Sequence, residues 1–181
     1  MTENKPVTLR QETPADFPQV FALIERAFCG EAYSDHKEQF LVERLRASEA
    51  FIPELSLVAE NESGIVGYCL LTKIKIKNAQ GAAGSLALAP VAVKPEFQGR
   101  GIGGRLIKEA HRLAASLGYR SVVILGHSGY YPRFGYKLAD EFGIKLPFDV
   151  PAGNCMAIEL VKDGLKGVTG EVLYAREFFE E

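Results

Sequence analysis

Leu88-Ala-Pro-Val-Ala-Val-Lys-Pro-Glu-Phe-Gln-Gly-Arg-Gly-Ile-Gly-Gly-Arg-Leu-Ile107 decides how this chain is read. Its first residues close an apolar run, Leu86 to Val93, suited to a central strand. Its middle, Gln98 to Gly104, holds four glycines in seven residues. Its end opens a run with Ile102, Leu106, Ala110, Leu113, Ala114 and Leu117 at helical spacing, and Gly118 follows as a natural C′ residue. The local prediction is therefore strand, glycine turn, helix. Glycine lets consecutive N–H groups converge and lets a ligand approach the main chain. A helix start adds unpaired donors and the positive end of the dipole. Together these make an anion site, most often for phosphate. Arg100 and Arg105 flank it as candidate partners.

Two phosphate templates fit poorly. A P-loop needs Lys-Ser/Thr after its last glycine, and Gly104 is followed by Arg105-Leu106. Gly99, Gly101 and Gly104 satisfy the dinucleotide pattern G-x-G-x-x-G in form. Its context fails, because Lys94-Pro-Glu-Phe97 separates the glycines from the strand. No carboxylate follows the next strand, Val122 to Leu125, either.

Upstream, Val7 to Arg10 alternates like a strand. Thr13-Pro14-Ala15-Asp16 is a helix start before the stripe Phe17, Val20, Phe21, Ile24, Ala27 and Phe28. Gly30 ends that helix, and a second amphipathic segment carries Phe40, Leu41 and Leu45. Leu55–Glu60, Ile65–Lys77 and Leu86–Val93 read as strands, joined by turns at Asn61–Gly64 and Asn78–Gly84. Such short turns imply an antiparallel meander. The helix after the glycines and the strand Ser121–Leu125 then complete a strand–helix–strand crossover, so that pair is expected to be parallel. A short helix is expected around Tyr130–Phe134, and further strands at Ile144–Phe148, Met156–Val161 and Glu171–Tyr174. The fold class is α+β, with a mixed, mostly antiparallel central sheet. No repeat or linker divides the chain, so residues 1–181 read as a single domain.

Composition bounds the rest. Eighteen glycines in 181 residues are about 10%, above the usual share near 7%. With 21 Lys plus Arg against 23 Asp plus Glu there is no global basic field, which argues against a nucleic-acid partner. No apolar run is long enough to span a bilayer, and MTENKPVTLR has no apolar signal core, so a cytoplasmic protein is expected. Cys29, Cys69 and Cys155 match no zinc or disulfide spacing and read as buried free thiols. No metal site is expected.

With its proline turn and Gln98-Gly-Arg-Gly-Ile-Gly-Gly104, the opening stretch resembles the acetyl-CoA signature of the GNAT N-acetyltransferase superfamily, in particular small bacterial members. Gln98, Gly101 and Gly103 occupy the signature positions, and the order of elements agrees over residues 7–160. Residues 161–181 form a C-terminal strand extension. The resemblance implies helices on both sheet faces, the acyl-CoA N-acyltransferase fold, and transfer of acetyl from acetyl-CoA to an amine in a ternary complex. It implies that main-chain amides of Gln98, Gly99, Arg100, Gly101, Ile102, Gly103 and Gly104 hold the CoA diphosphate. The main chain of Val91, Ala92 and Val93 would pair with the pantetheine arm. A second motif, Tyr131-Pro-Arg-Phe-Gly-Tyr136, resembles the family segment whose tyrosine protonates the leaving thiolate, which assigns that role to Tyr131. Tyr130, one position earlier, is expected to point elsewhere. Arg133 and Lys137 are candidates for the 3′-phosphate.

The general base stays open among Glu31, Asp35, His36, His127 and a water. The acceptor, a small-molecule or peptide amine, is equally open. A rival reading is a non-catalytic acyl-CoA-binding or sensor module. A homodimer paired through a strand such as Met156–Leu160 is a further expectation.

Overall fold

The computed structural model describes residues 6–180. Met1 to Lys5, part of the stretch read above for a leader, and Glu181 lie outside the described residues. In chain order the elements are β1 (Thr8–Gln11), α1 (Phe17–Phe28), α2 (Glu38–Arg46), β2 (Ser56–Asn61), β3 (Gly64–Asn78), β4 (Gly81–Val93), α3 (Ile102–Ser116), β5 (Ser121–Leu125), β6 (Lys137–Leu138), β7 (Ile144–Lys145), β8 (Cys155–Glu159) and β9 (Gly170–Leu173). The sheet runs β1-β2-β3-β4-β5-β8-β6, and β9 pairs with the far end of β3 and with β7. It is antiparallel except for β4–β5 and the two-residue pair β7–β9.

The hairpin of β3 and β4 is the frame. On β3, Ile74 and Ile76 are buried while Lys73, Lys75 and Lys77 face water, as alternation demands. The turn is tighter than the Asn78–Gly84 signal suggested. Gly81 already pairs with Asn78, leaving only Ala79 and Gln80 in the loop. Asn78 Oδ1 accepts the Gln80 N–H at 2.9 Å, a local bond that shapes the turn. The small residues Gly81 to Gly84, poor strand formers in isolation, are carried by their long partner.

One side-chain face of the sheet packs under α3. Ile102, Leu106, Ile107, Ala110 and Ala114 meet Leu57, Ala59, Cys69, Leu71 and Leu88. Close approach depends on Gly67 of β3, where a methyl group would lie 3.0 Å from both Ile102 and Leu106. The opposite face carries α1 and α2, with Val20, Leu23, Ile24, Val42 and Leu45 over Val58, Tyr68, Leu70 and Ala92. Further along the hairpin, residues 144–172 take over and bury Ile74, Ile76, Ala87 and Val123. The C-terminal segment is thus built into the core.

Local chemistry fixes the helix starts. Asp16 Oδ2 accepts the Thr13 N–H at 2.8 Å and an Arg10 guanidinium N–H at 2.7 Å. The Arg10 bond holds the Asp16 carboxyl well below the usual carboxylate range. Arg46, at the end of α2, forms a buried ion pair with Glu12 and stacks 4.0 Å over Phe17. Glu12 also accepts from Ser56 Oγ at 2.6 Å.

Several expectations need correction. Phe40 is exposed and packs edge-on against Phe21, while Val42 takes the inward position on α2. The strand expected over Ile144–Phe148 stops at Lys145, because Pro147 has no N–H for a ladder. β6 was not foreseen. Met156 and Ala157 have β5 on one edge and β6 on the other, so this part of β8 has no edge left to pair across a dimer. Cys69 and Cys155 are buried, but Cys29 is exposed beyond the end of α1.

Leu106 is fully buried at the centre of the α3 interface. Leu106→Ala is expected to cost about 3 kcal/mol through lost transfer energy and a residual cavity. Urea denaturation should show a lower midpoint with an unchanged slope.

Candidate active site

The parallel pairing of β4 and β5 lasts two residues, Leu86 with Val122 and Ala87 with Val123. Beyond it the strands part. Ala89 and Pro90 together face the single residue Leu70 on β3, because the register runs from Leu71–Leu88 to Cys69–Val91. This bulge suits proline, which has no ladder donor to lose. It also resets side-chain parity: Leu86 and Leu88, then Val91 and Val93, pack on the α3 side. Val91, Ala92 and Val93 therefore keep β3 on one edge and have no strand on the other.

The open edge leads to the glycine segment. Pro95–Phe97 form one 3-10 turn, then Gly99 (φ 74°) and Gly101 (φ 76°) take the left-handed conformation. Such φ values favour glycine over any side chain. Gly101 is the N-cap of α3, and the first helical bond runs from Arg105 N to Gly101 O at 3.0 Å. The first-turn N–H groups at Ile102, Gly103 and Gly104 precede that bond and point out of the helix end. The other two glycines face the Tyr131 segment. A methyl on Gly103 would sit 3.4 Å from Tyr130 Oη, and one on Gly104 would sit 3.3 Å from the Phe134 ring.

The remaining candidates at the loop have other partners. Gln98 N donates to Pro95 O at 3.3 Å, and Gln98 Nε2 donates to Val93 O at 3.1 Å. That side chain ties the loop to the end of β4. Arg100 donates to Glu96 O at 2.9 Å, and Arg105 to Val7 O at 2.8 Å. Arg133 instead stacks 4.5 Å over the Tyr130 ring.

Tyr131 opens the 3-10 turn Tyr131–Phe134 just beyond β5. Its ring lies on Gly126, where a methyl group would be 2.3 Å from Cε2. Tyr130, Phe134 and Tyr136 surround it, with centroids 5.1, 6.4 and 5.7 Å away. Burial pushes its phenol well above the usual tyrosine range, with Cys69 and Tyr130 adding smaller contributions. The hydroxyl is therefore protonated at neutral pH. Tyr130 does not point away from the site, as the sequence suggested. Its ring bridges the Tyr131 segment to the first turn of α3 and to Val91 and Val93.

The base candidates are dispersed. His127 is exposed after β5, and its carbonyl accepts the Tyr130 N–H at 3.0 Å. Glu31, Asp35 and His36 are exposed in the loop between α1 and α2. His36 Nδ1 lies 2.9 Å from Phe28 O, and Asp35 Oδ1 accepts the Lys37 N–H at 2.9 Å. Asp35 also lines a cavity of about 340 Å³ with Glu38, Arg44, Phe178 and Glu180. Glu38 and this cavity were missed by sequence reading, as were Gly126, His111 and Tyr136. A glycine directly after a β-branched strand was the available signal for Gly126. No group of three or more His, Cys, Asp or Glu able to hold a metal ion occurs among the described residues. No helix there is long and apolar enough to cross a membrane.

A strand parting from its parallel neighbour, followed by a glycine cradle at a helix start, defines the acyl-CoA N-acyltransferase fold. Residues 53–138 match the acetyltransferase (GNAT) domain. The chain is 31% identical over 171 residues to the uncharacterized N-acetyltransferase YhbS of Escherichia coli K12, covering 94% of this chain and 97% of that protein. It is 39% identical over 121 residues to the uncharacterized N-acetyltransferase YjhQ of the same strain, covering 66% and 67%. This chain belongs to the GNAT N-acetyltransferase family. Its structure matches that of Escherichia coli YhbS in complex with CoA at TM-score 0.86, with 27% identity over 99% of this chain and 96% of that one. A Brucella melitensis GNAT acetyltransferase in complex with acetyl-CoA matches at 0.79, with 32% identity over 97% and 99%.

His111 of α3, within hydrogen-bond distance of Tyr136, gives the neighbourhood a pH signature. Burial pulls its imidazole from 6.5 down to about 4. Between those values the unfolded chain binds a proton that the fold excludes. Its contribution is complete above pH 6.5 and declines as pH falls toward 4. The loss between pH 7 and pH 5 is about 2 kcal/mol. Urea denaturation at the two pH values should show it, and His111→Gln should remove that share of the difference.

Proposed function

We propose that this enzyme transfers the acetyl group of acetyl-CoA to a primary amine by direct attack within a ternary complex. The observation that carries this is the edge of β4 at Val91–Val93 with no strand against it, running into a first turn of α3 that no side chain caps. The residues fit the co-substrate. Gly99 and Gly101 hold the loop in a conformation that turns main-chain donors outward, and no side chain caps the helix start. The amides from Gly99 to Gly104 are assigned to the diphosphate, and the main chain of Val91, Ala92 and Val93 to the pantetheine arm. Gln98 contributes by holding Val93 O, which keeps loop and strand in register.

Bound acetyl-CoA supplies an activated acetyl thioester. A main-chain N–H along Val91–Val93 stabilises the charge that develops on its carbonyl oxygen, an effect of about 3 kcal/mol for one well-placed donor. Tyr131 holds a proton at Oη for the departing thiolate. A thiol of pKa about 8.5 needs only modest help near neutrality, so this acid is worth about 10–100-fold. The amine must arrive neutral. An α-amino group of pKa about 8 is about one-tenth neutral at pH 7, whereas a lysine amine is neutral about once in 2,500. A base among Glu31, Asp35, His36, His127 or a water therefore matters far more for a lysine acceptor.

Titration with acetyl-CoA, NAD and ATP tests the donor assignment, and binding of NAD without acetyl-CoA would overturn it. A screen of amine classes with thiol release as readout identifies the acceptor. With that acceptor, Tyr131→Phe is expected to lower kcat about 10–100-fold with acetyl-CoA affinity retained. Unchanged kcat in Tyr131→Phe removes the acid role. Gly126→Ala, which displaces the same ring, should lower kcat by a similar factor, about 10–100-fold, while acetyl-CoA binding persists.

A further inference from the structure

The geometry points to Tyr136 and His111 as positioning residues, whose mutual hydrogen bond fixes the wall against which Tyr131 stands. This rests on the reading of Tyr131 as the proton donor. The Tyr131 hydroxyl makes no hydrogen bond to protein among the described residues, so only packing sets the direction of its phenol. Gly126 lies against one part of the ring. Tyr136 stands edge-on to it, at 5.7 Å and 77°. Tyr130 and Phe134 also touch it, but each is only partly buried and neither has a hydrogen bond of its own to hold the ring. Tyr136 is 3% exposed, and its Oη lies 2.8 Å from His111 Nε2 on α3. The two rings are tilted by 50° at 5.5 Å.

A buried ring held only by dispersion keeps some freedom to shift. A buried hydrogen bond adds a directional restraint and makes displacement costly, because both polar groups then lose their partners. Phenylalanine at position 136 would fill nearly the same space without the restraint. Tyr136 and His111 belong to separate parts of the chain, one at the end of the Tyr131 segment and the other on α3. They also tie the Tyr131 segment to α3, whose first turn carries the glycine cradle.

The test compares Tyr136→Phe, His111→Gln, the pair Tyr136→Phe/His111→Leu, and each of these combined with Tyr131→Phe. Steady-state kinetics use the acceptor found by the screen. Tyr136→Phe should lower kcat about tenfold with KM for acetyl-CoA unchanged. His111→Gln, which keeps the Tyr136 hydroxyl and places an amide near the Nε2 position, should retain a kcat close to that of the unaltered chain. The apolar pair should recover thermal stability, because neither partner is left unpaired, yet keep the low kcat. In the Tyr131→Phe background the Tyr136→Phe penalty should disappear, since nothing is left to position. Ring resonances of Tyr131 in tyrosine-labelled protein should move in Tyr136→Phe and stay in place in His111→Gln.

Normal kcat in Tyr136→Phe, with Tyr131→Phe impaired, overturns the positioning role and leaves the proton donor standing. A penalty of equal size with and without the Tyr131 hydroxyl overturns it as well. If Tyr131→Phe is itself unimpaired, the proton-donor reading fails first, and the positioning role fails with it.

Discussion

Beyond Ala87, β4 has a neighbouring strand on one edge only among the described residues. That asymmetry organises the molecule. Two parallel pairs hold β4 to β5, and the bulge at Ala89–Pro90 then turns the strand while keeping Val91 and Val93 in the α3 layer. A sheet interior normally satisfies both edges of every strand. Here a stretch of central strand has no neighbouring strand on one edge, where Val93 O accepts from the Gln98 side chain instead. The glycine segment continues the same idea at the start of α3, where the first-turn amides have no helical carbonyl to meet. Backbone groups without a sheet or helix partner thus run in one track from the edge of β4 to the start of α3.

The glycine excess that marks the composition divides into two physical roles along this track. Gly99 and Gly101 are there for backbone angles, with no neighbouring atom within 4 Å of an added methyl. Gly103 and Gly104 have ordinary helical angles; an added methyl would crowd the Phe134 ring at Gly104 and make ordinary contact with Tyr130 at Gly103. A pattern reader sees four equivalent letters. The difference appears only when the Tyr131 segment, some 30 residues later in sequence, is folded back on the helix start.

Much of this was legible in the chain. Period-two alternation at Ile74 and Ile76, the Thr13–Asp16 start signal and the α3 stripe each come from strong local physics, and each is found where expected. The parallel step followed from the strand–helix–strand order once α3 was recognised. The elements that escaped are short or tertiary. β6 has two residues and exists because β8 offers an edge. Phe40 and Val42 exchanged roles because a short amphipathic helix admits more than one inward face. The site was half legible. The loop announces itself through glycine, but the supports of Tyr131 do not. Gly126, Tyr136 and His111 lie 5 to 20 positions away: Gly126 just after β5, Tyr136 at the end of the second motif, and His111 on α3 with no pattern that marks it.

The closeness of Gly104 to Phe134, where an added methyl would sit 3.3 Å from the ring, carries a final consequence. The first turn of α3 and the Tyr131 segment lie side by side with no room for a side chain at that point. On the reading proposed above, an anion held at the helix start bears on the packing around Tyr131, and by linkage the reverse influence is equal.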